Sequence, residues 1–580
     1  MPEKSLHSML RNEWVYPTVS LRGSTDSALV KYILRRRGYT TRKQQESFLE
    51  PDYEKDMHDP YLLSDMEKAV GLLFDAIQHN KTVAIYGDYD ADGVCASVVL
   101  HDTFKALGAQ NILIYIPHRE EEGYGMNIPA LQRLKDKGVD VVVTVDLGST
   151  NIKEVEWLRE NNIVSIVTDH HIVRATHPKA DAFINPHKEK EPYPFPYLCG
   201  AGVAFKLAVA LLQYFRKHNK KAPPVGWEKW LLDIVAIATI TDVMPLLDEN
   251  RVIVRYGLLV LAQTRRYGLR ALFEQCNIQP EYNRETRTTN LVSSMLGFRI
   301  GPRINAAGRM MHADSALQAL LAKTPQEARR LAAVLEKANN QRKDAVNGIV
   351  KTIQGRSEKI RESNAVVMGD SDWAIGVVGI VAGKMAEFHR KPAFIYQKKG
   401  SSCVGSVRVP PHFNAVEILE EAGDVLEKFG GHKQAGGFSF SQENEQAFYE
   451  QIQKSVREAQ KNKKATPSLS IDAVVKEGSV SVSLCEAISE LEPFGERNTE
   501  PVLCLQGVQV ESIAAIGADE KHIRCVLRYG SSNFKAIGFG LASDALQYMN
   551  EGDTVDVAFH LRKEEYQGVE NVVLHIVDVA

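Results

Sequence analysis

Short runs of β-branched residues alternate with helical patterns over residues 82–168, and this alternation predicts the fold of that region. Each run is bounded by glycine or polar residues and is followed by a segment with helical spacing. The four runs are TVAIYG, ILIYIP, VVVTVD and IVSIVTD. Repeated strand–helix units fold as a parallel sheet with helices on both faces. We therefore predict an α/β domain built on a parallel sheet.

The patterns that follow predict three further parts. Apolar positions at helical spacing from 325 to about 350 indicate a long amphipathic helix that joins two lobes. A second α/β unit runs from NAVVMGD to the glycine-rich GGHKQAGGFSF, and the polar KNKKATPS around residue 465 marks the next boundary. Five short alternating strands beyond it favour a barrel of the OB type, with a β-sandwich as the alternative. The predicted division is an N-terminal segment at 1–55, a first α/β domain at 56–324, the connecting helix at 325–355, a second α/β domain at 356–462 and the barrel at 463–580.

Composition excludes several classes of protein. The 580 residues are 44% hydrophobic, enough for three or four domain cores. The seven cysteines are scattered and form no CxxC pair, so neither a disulfide framework nor a zinc cluster is indicated. The N-terminus has no apolar signal-peptide core, and the apolar run WLLDIVAIATI is too short to span a bilayer. We expect a cytoplasmic protein.

Net charge does not indicate a nucleic-acid binder. The formal net charge is -3, so any site for a polyanion has to be local. KYILRRRGYTTRK, residues 31–43, carries six basic residues, no acid and two tyrosines. This segment is either a nucleic-acid contact or a solvated helix end and turn.

Acidic residues and histidines follow three of the predicted strands. DYDAD follows the first strand, Asp146 ends the third, and Asp169-His170-His171 ends the fourth. Because ligands of such sheets bind beyond the carboxyl ends of the strands, these side chains converge on one edge. A further acid, Asp242, ends the apolar segment WLLDIVAIATITD.

The alternating aspartates of GDYDADG, residues 87–93, resemble the start of a calcium loop. An EF-hand loop beginning at Asp88 would need glutamate at Val99 and a helix, not a strand, before it. A surface turn remains an alternative for the motif alone. Several carboxylates at one buried edge repel one another unless cations neutralise them. Carboxylates with one or two imidazoles suit Mn²⁺ or Mg²⁺, and a pair of such ions favours phosphodiester hydrolysis.

Seven motifs occur in the order found in one family. The chain resembles the RecJ family, the single-strand-specific 5′ to 3′ exonucleases of the DHH phosphoesterase superfamily, over about residues 50–580. In that family the first α/β domain is the DHH catalytic domain, the second is of the DHHA1 type, and the barrel is an OB fold. The motifs are DYDADG at 88–93, VDLG at 145–148, TDHH at 168–171, TDVMPL at 241–246, GPRINAAGR at 301–309, GGHKQAGG at 430–437 and LEPFGERNTEP at 491–501.

The resemblance implies a site for two divalent cations, Mn²⁺ or Mg²⁺. Asp146 bridges the ions, and His171 faces the scissile phosphate as an electrostatic stabiliser or proton donor. Asp169 orients a histidine or its loop. Asp88 is either a ligand or a group that supports ligands. The implied metal ligands are Asp88, Asp90, Asp92, Asp146, His170 and Asp242.

A second set of residues is implied to bind nucleic acid. Arg119, Ser406 and Arg408 resemble the pocket for a 5′ phosphate, and arginine forks suit phosphate oxygens. For GPRINAAGR the alternative is a structural arginine–carboxylate network, for Tyr124 an ordinary partly buried tyrosine, and for His432 a turn between helix and strand. The full set is Arg119, Tyr124, Arg303, Asn305, Arg309, Ser406, Arg408 and His432.

Two positions depart from the family pattern. Ala374 stands where a histidine is usual before the glycine of SDWAIG, and Val409 replaces a serine that often follows the arginine of GSxR. Both concern the geometry of the second-lobe pocket.

The resemblance implies hydrolysis of single-stranded DNA from the 5′ end to mononucleotides, in DNA repair and recombination. Single-strand-binding protein and a helicase are the expected partners of a monomeric enzyme. The alternatives are a DHH phosphodiesterase for short oligonucleotides or cyclic dinucleotides and a non-catalytic single-strand-DNA-binding scaffold. The terminal strands and the intact ligand set argue against these alternatives.

Overall fold

The computed structural model describes residues 8–10, 12–17, 25–218, 220–461, 468–566 and 568–580. The chain forms two compact units. The larger unit contains 58–244 and 253–464, and the smaller contains 1–57, 245–252 and 465–580. No helix within the described ranges is both long enough and apolar enough to cross a lipid bilayer.

A five-stranded parallel sheet organises the first lobe of the larger unit. Its order is β2-β1-β3-β4-β5, so the predicted parallel α/β sheet is confirmed. β1 and β3 are buried at every position because their runs of Val, Ile and Ala lie between two layers of helices. The strands are β1 Val83–Gly87, β2 Ile112–Tyr115, β3 Val141–Val145, β4 Val164–Thr168 and β5 Ala182–Ile184.

Four helices of this lobe carry or support the acidic edge of the sheet. They are α1 Ala91–Ala106, α2 Gly200–Lys217, α3 Leu232–Thr241 and α4 Gly301–Met310. α3 is apolar apart from Asp233 and its threonines, and its residues 232–239 are buried. The other helical segments of the lobe are Pro60–Leu62, Met66–Gln78, Ile128–Asp136, Ile152–Glu160, Trp227–Leu231, Tyr267–Gln275, Ser293–Met295, the π-helical turn Leu296–Ile300 and Asp314–Leu320. The helix Asp248–Leu261 begins in the smaller unit and continues in the larger one, and Tyr282–Asn283 and Thr288–Thr289 form a small hairpin.

The predicted connecting helix is α5, Pro325–Gln354, and it leads into a second α/β lobe. The second sheet has the order β9-β10-β8-β7-β6, in which only the β6–β7 pair is parallel. α6, Ile375–His389, packs against β7 and β8. The strands are β6 Val366–Asp370, β7 Ala393–Lys399, β8 Ser402–Arg408, β9 Lys428–His432 and β10 Ala435–Ser441, and the remaining helices are Ser357–Glu362, Ala415–Glu421, Gly423–Val425, Gln442–Asn444 and Glu445–Lys461.

Five strands of the smaller unit close into a barrel. β11 pairs with both β12 and β14, which closes the sheet, so the OB-type prediction is confirmed over the sandwich. The barrel strands are β11 Leu503–Ile516, β12 His522–Tyr529, β13 Ser532–Gly538, β14 Thr554–Tyr566 and β15 Val569–Val579. The unit also contains Glu13–Val15, Asp26–Arg36, Arg42–Leu49, Tyr53–Asp56, Ser468–Ser470, Ala473–Val474, Glu477–Ser479, Val482–Ser489 and Ala542–Tyr548.

The basic segment 31–43 lies in this smaller unit. Arg36 donates hydrogen bonds to the carbonyls of Ile471 and Asp472, and Arg37 donates to Asn498 and Thr499. These two arginines therefore connect parts of the unit, which favours a structural role for them over a nucleic-acid contact. The predicted boundary at KNKKATPS falls mostly on 462–467, outside the described residues. The five-part domain division stays a prediction.

Candidate metal centre and phosphate pocket

The acidic residues meet at the carboxyl edge of the parallel sheet. Asp88 follows β1, Asp146 follows β3, Asp169 follows β4, and Asp242 lies at the end of α3. Ligand atoms within each of three groups lie within 4.8 Å of one another. The groups are Asp88 with Asp90 and Asp146, Asp92 with His170 and Asp242, and Asp146 with His170 and His171.

His170 lies at the centre of the cluster. Its Nε2 is 3.1 Å from Asp146 Oδ1, 3.6 Å from Asp242 Oδ2 and 3.7 Å from Asp92 Oδ2. Burial and the neighbouring His171 lower the pKa of His170 to about 3, and the Leu198 backbone is a hydrogen-bond partner of its ring. A neutral imidazole so held keeps a lone pair for a metal ion, as ligand histidines do.

Several carboxylate oxygens of the cluster lack a hydrogen-bond donor among the described residues. Asp88 Oδ1, Asp146 Oδ1 and Asp242 Oδ2 are buried and accept no hydrogen bond from the residues that the structure describes. Burial, and then the other carboxylates, raise the pKa values of Asp88, Asp146 and Asp242 well above the usual range. Such charges are costly unless a cation compensates them. The donor set therefore fits hard divalent cations.

Backbone amides orient two of the carboxylates. Asp90 caps α1, and its Oδ1 accepts from the amides of Asp92 and Gly93 at 2.9 and 3.1 Å. Asp92 accepts from the amides of Gly200 and Ala201, in the first turn of α2, at 2.6 and 2.8 Å. The two carboxylates are thus positioned before any ion binds.

Gly93 brings α1 close to Asp88. A methyl group on Gly93 would lie 2.5 Å from both the backbone nitrogen and the carbonyl oxygen of Asp88, so only glycine fits there. This close contact brings the Asp88 carboxylate near Asp90 and Asp146, in one of the three ligand groups. Of the two roles left open for Asp88, its position and its buried Oδ1 favour direct ligation.

Asp146 adopts an unusual backbone conformation. Its φ is +63°, a left-handed value that is uncommon for a non-glycine residue and that clusters at functional sites. The Asp146 amide donates to the Thr168 carbonyl at 3.1 Å, and a methyl group on Gly200 would lie 2.4 Å from Asp146 Cβ. β4 and the start of α2 therefore confine this carboxylate.

Asp169 fixes the neighbouring histidine and its loop. Its Oδ1 lies 2.8 Å from His171 Nδ1 and accepts from the His170 amide, while its Oδ2 accepts from the Ser149 amide. The hydrogen bond and charge of Asp169 outweigh burial and raise the pKa of His171 to about 9. Tyr124, half-exposed, has its hydroxyl 3.2 Å from the same Nδ1. A base-stacking role for Tyr124 stays a prediction.

GPRINAAGR forms α4, and its three predicted residues point to different neighbours. Asn305 Oδ1 accepts from the Ala91 amide at 2.9 Å, beside Asp90. Arg303 pairs with Glu336 on α5 and is therefore directed at the connecting helix. Arg309 donates to the Gly376 carbonyl of α6 at 3.0 Å. α4 thus links the acidic edge with the second lobe.

A group of arginines lies beside the acidic cluster. Burial and the charge of Arg119 lower the pKa values of both Arg309, to about 10, and Arg408. Arg342 on α5 also lies near enough to lower that of Arg309. We call Arg119, Arg309, Arg342 and Arg408 the arginine cluster. The positive charges of these four side chains repel one another, and a bound anion would relieve that repulsion.

Ser406 and Arg408 both face the first turns of α6. A methyl group on Gly379 would lie 3.3 Å from Ser406 Oγ and 3.4 Å from Arg408 Nη2. Both side chains therefore lie against the N-terminal half of α6. Arg119 lies with its guanidinium 4.7 Å above the Tyr89 ring, on the side of the first lobe.

Sequence analysis did not identify Arg342. It lies on a helix rich in both charges, where an arginine is typical of a solvated face, and only packing reveals its neighbours. Its guanidinium donates to Asn339 Oδ1 at 3.0 Å.

His432 does not lie in a turn between a helix and a strand. It ends β9 and pairs with Ala435 across a hairpin, where its side chain is exposed. Of the two departures from the family pattern, Val409 is buried in the apolar core of the second lobe. Ala374 precedes α6 and provides no side-chain cap for it.

Comparisons with known proteins agree with this architecture. A model described as the DHH family, N-terminal domain, matches residues 82–239, the DHHA1 domain matches 362–458, and the RecJ OB domain matches 471–578. A crystal structure of RecJ in complex with Mn²⁺ from Thermus thermophilus has a TM-score of 0.79 at 27% identity, covering 96% of this chain and 76% of that one.

Two curated relatives carry the same description. The single-stranded-DNA-specific exonuclease RecJ of Bacillus subtilis (strain 168) is 32% identical over 95% of this chain and 68% of that protein. The RecJ of Haemophilus influenzae is 31% identical over 84% of this chain and 86% of that protein. Since identity above 30% extends over most of both sequences, the chain belongs to the RecJ family of single-stranded-DNA-specific exonucleases.

Proposed function

We propose that this protein hydrolyses single-stranded DNA from its 5′ end, releases 5′-mononucleotides, and acts in DNA repair and recombination. The observation that carries this proposal is the buried acidic cluster beside the arginine cluster; three buried oxygens of the acidic cluster accept no hydrogen bond from any described residue. The acidic cluster suits divalent cations, and the arginine cluster suits a phosphate group. A phosphodiester bound next to the cations would be activated for hydrolysis.

Two divalent cations, Mn²⁺ or Mg²⁺, are the proposed cofactors. When bound, they would supply an activated water and neutralise charge on the phosphoryl oxygens. Asp88, Asp90, Asp92, Asp146, His170 and Asp242 are the proposed ligands. Asp146 is the proposed bridge, because it is the one carboxylate that belongs to two of the three ligand groups.

His171 is the proposed catalytic cation. The hydrogen bond and charge of Asp169 raise the pKa of the His171 ring to about 9, which favours its protonated form. An imidazolium beside the scissile phosphate stabilises negative charge and can donate a proton to the leaving oxygen. Asp169 acts through His171 and is a positioning residue.

The arginine cluster and Ser406 are the proposed 5′-phosphate pocket. A terminal phosphate carries more charge than an internal one, so a pocket of confined guanidinium groups favours an end. Asn305 and Arg309, both on α4, are proposed to contact the phosphate backbone of the substrate. His432 and Tyr124 are proposed to contact nucleotides. Arg303, which forms an ion pair with Glu336, is proposed to hold α4 against α5.

The closed barrel supports a longer single-stranded substrate over short oligonucleotides or cyclic dinucleotides. OB-type barrels present a surface for successive nucleotides of a single strand. We further propose that the protein acts as a monomer in the cytoplasm, and that single-strand-binding protein and a helicase deliver its substrate.

End-labelled DNA tests the proposed function. With Mn²⁺, the purified protein is expected to release labelled mononucleotide at once from a 5′-labelled single strand and only late from a 3′-labelled one. A blunt duplex of the same sequence should be spared. Early release of the 3′ label, or no hydrolysis with any divalent cation, would contradict the proposal.

Arg408→Ala tests the end pocket. Loss of one charge-assisted contact to phosphate should raise KM about ten-fold or more on a 5′-phosphorylated strand. The KM for a strand with a 5′ hydroxyl should change less, because that substrate never fills the pocket. Steady-state kinetics on the two substrates measures the difference.

Arg361→Ala is the control, since Arg361 is exposed in the same lobe and its loss removes the same charge. Equal losses for Arg408→Ala on both substrates would show that Arg408 does not recognise the end.

A further inference from the structure

A cavity of about 710 Å³ opens in the second lobe, outside the metal centre and the arginine cluster. Its volume falls in the range of small-molecule sites. We call it the edge pocket, because it lies along the outer edge of β6. The lining residues that matter here are Arg356, Val367, Gly369, Tyr396, Glu443 and Tyr449.

The second sheet separates the edge pocket from the proposed 5′-phosphate pocket. Successive residues of a strand point to opposite faces of its sheet. Ile395 of β7 packs in the apolar cluster that contains residues of α6, whereas Tyr396 packs in the cluster that contains residues of the helix Glu445–Lys461. Ser406 and Arg408 lie against α6, on the first of these faces. The edge pocket is on the second face and is therefore a different site.

β6 presents unpaired backbone groups to the pocket. It pairs only with β7, and the Val366 amide donates to the Pro392 carbonyl on that side at 2.9 Å. Alternate residues of a parallel strand bond to the same side, so the N–H and C=O groups of Val367 and Gly369 point away from β7. Among the described residues, none is a hydrogen-bond partner of these groups.

The preceding residue of the same edge shows what kind of group fits it. Gln453 Oε1 accepts from the Ala365 amide at 3.1 Å, and Gln453 Nε2 donates to the Ala365 carbonyl at 2.8 Å. A planar group with a donor beside an acceptor thus pairs with one residue of the edge. Because Gln453 covers this end of β6, the edge left at Val367 and Gly369 is too short for an added peptide strand.

Tyr396 forms a fixed wall of the pocket. Its hydroxyl donates to Glu445 Oε1 at 2.7 Å, and Lys398 Nζ donates to Glu445 Oε2 at 2.8 Å. A methyl group on Gly369 would lie 2.0 Å from Tyr396 Cε2, so only glycine lets this ring lie across β6. The charge of Glu445 is therefore already paired, and it does not oppose a bound anion.

The other side chains suit the remaining parts of a nucleotide. Tyr449 is 39% exposed, and its ring can stack on a base. Arg356 is exposed, and within the described ranges no residue pairs with its guanidinium, which leaves it for a phosphate. Glu443 supplies a carboxylate of the kind that binds ribose hydroxyls.

We propose that the edge pocket binds a nucleoside 5′-monophosphate. The base pairs with the open edge of β6 and stacks on Tyr449, and the phosphate binds Arg356. Each DNA base has a donor beside an acceptor on its Watson–Crick edge, so this pairing accepts all four. The inference rests on the proposed function, which releases all four mononucleotides, and adds a product-binding site apart from the catalytic one.

Nucleotide binding without divalent cations tests the edge pocket. Asp146→Ala protein in EDTA is titrated with deoxyadenosine 5′-monophosphate in a calorimeter, so neither turnover nor bound metal contributes. Tyr449→Ala should raise Kd about ten-fold, the effect of losing one stacked base. Arg356→Ala should raise Kd for the monophosphate by a similar factor and leave Kd for deoxyadenosine unchanged. The other three deoxynucleoside monophosphates should bind with similar affinity.

Two controls locate the bound nucleotide. Arg361→Ala removes the same charge as Arg356→Ala from an exposed position that does not line the pocket, and Kd should not change. Arg408→Ala alters the proposed 5′-phosphate pocket and should also leave Kd unchanged. Binding that is lost with Arg408→Ala, or that Tyr449→Ala does not weaken, would overturn the proposal.

Hydrogen exchange tests the strand edge itself, which no side-chain substitution removes. Saturating nucleotide should slow exchange of the Val367 and Gly369 amides, because a base then occupies them. Deoxyribose 5-phosphate, which has no base, should give no such protection. Bound nucleotide with unchanged exchange at both amides would contradict the pairing with β6.

These measurements separate the inference from the proposed function. Binding that depends on Tyr449 and Arg356 supports the edge pocket even if no hydrolysis of DNA is found. Absence of nucleotide binding at millimolar concentration overturns it even if the exonuclease activity is confirmed.

Discussion

Asp146→Ala is expected to abolish hydrolysis while DNA binding persists. Asp146 supplies oxygen atoms to two of the three ligand groups, and its Oδ1 is among the buried oxygens that no described residue satisfies. Its loss should therefore disturb both ions and lower kcat at least about 1,000-fold, more than the loss of a group that only supports a ligand. The arginine cluster is untouched, so affinity for a 5′-phosphorylated strand should change little.

Two measurements check this result. Single-turnover kinetics with Mn²⁺ gives the rate, and metal analysis of the dialysed protein gives the number of ions bound. Asp136→Ala removes an exposed carboxylate at the end of the helix Ile128–Asp136 and should leave both unchanged. A wild-type rate for Asp146→Ala would refute the bridging role.

The first sheet could be predicted because its strands are nearly uniform in hydrophobicity. β1, β3 and most of β4 are buried on both faces, so each appears in the sequence as a short apolar run. β5 was not predicted, because Ala182–Ile184 is only three residues long and has no period to detect. The barrel strands alternate over seven to fourteen residues, and their alternation was enough to predict them.

β9 was not predicted for a different reason. Four of its five residues are exposed and two are glycines, so neither alternation nor β propensity marks Lys428–His432 as a strand. The segment is a strand because it pairs with β10. His432 therefore lies in a hairpin and not in the expected turn between a helix and a strand.

Within the site, residue types could be predicted but contacts could not. Asp90, Asp92 and Asp146 follow strands, and their convergence follows from sheet geometry. That Gly200 and Ala201 donate to Asp92 depends on α2, more than 100 residues away, and no local pattern encodes it. The proximity of Arg342 to Arg309 likewise depends on tertiary packing, and no local sequence pattern predicts it.

Gly200 illustrates how a residue without a side chain can determine the metal centre. Its amide donates to Asp92 Oδ2 at 2.6 Å, and a methyl group at its Cα would lie 2.4 Å from Asp146 Cβ and 2.7 Å from Asp146 Oδ1. Asp146 cannot retreat easily, because its backbone is already left-handed and its amide is bonded to Thr168. A methyl group at Gly200 would therefore displace Asp146 and would also disturb the hydrogen bond to Asp92, so it affects two proposed ligands.

Gly200→Ala is accordingly expected to lower kcat about 100-fold and to raise the Mn²⁺ concentration needed for half-maximal rate, because misplaced ligands bind and orient ions poorly. Gly202→Ala is the matched control in the same helical turn. Its added methyl group would meet the Leu198 side chain at 3.3 Å and Cys199 Sγ at 3.7 Å, and neither is a proposed ligand, so most activity should remain. A Mn²⁺ titration of the initial rate for both variants, with thermal melting to confirm folding, measures the contrast. If the two variants lose activity equally, the loss comes from helix packing, and the contact between Gly200 and Asp146 does not shape the metal centre.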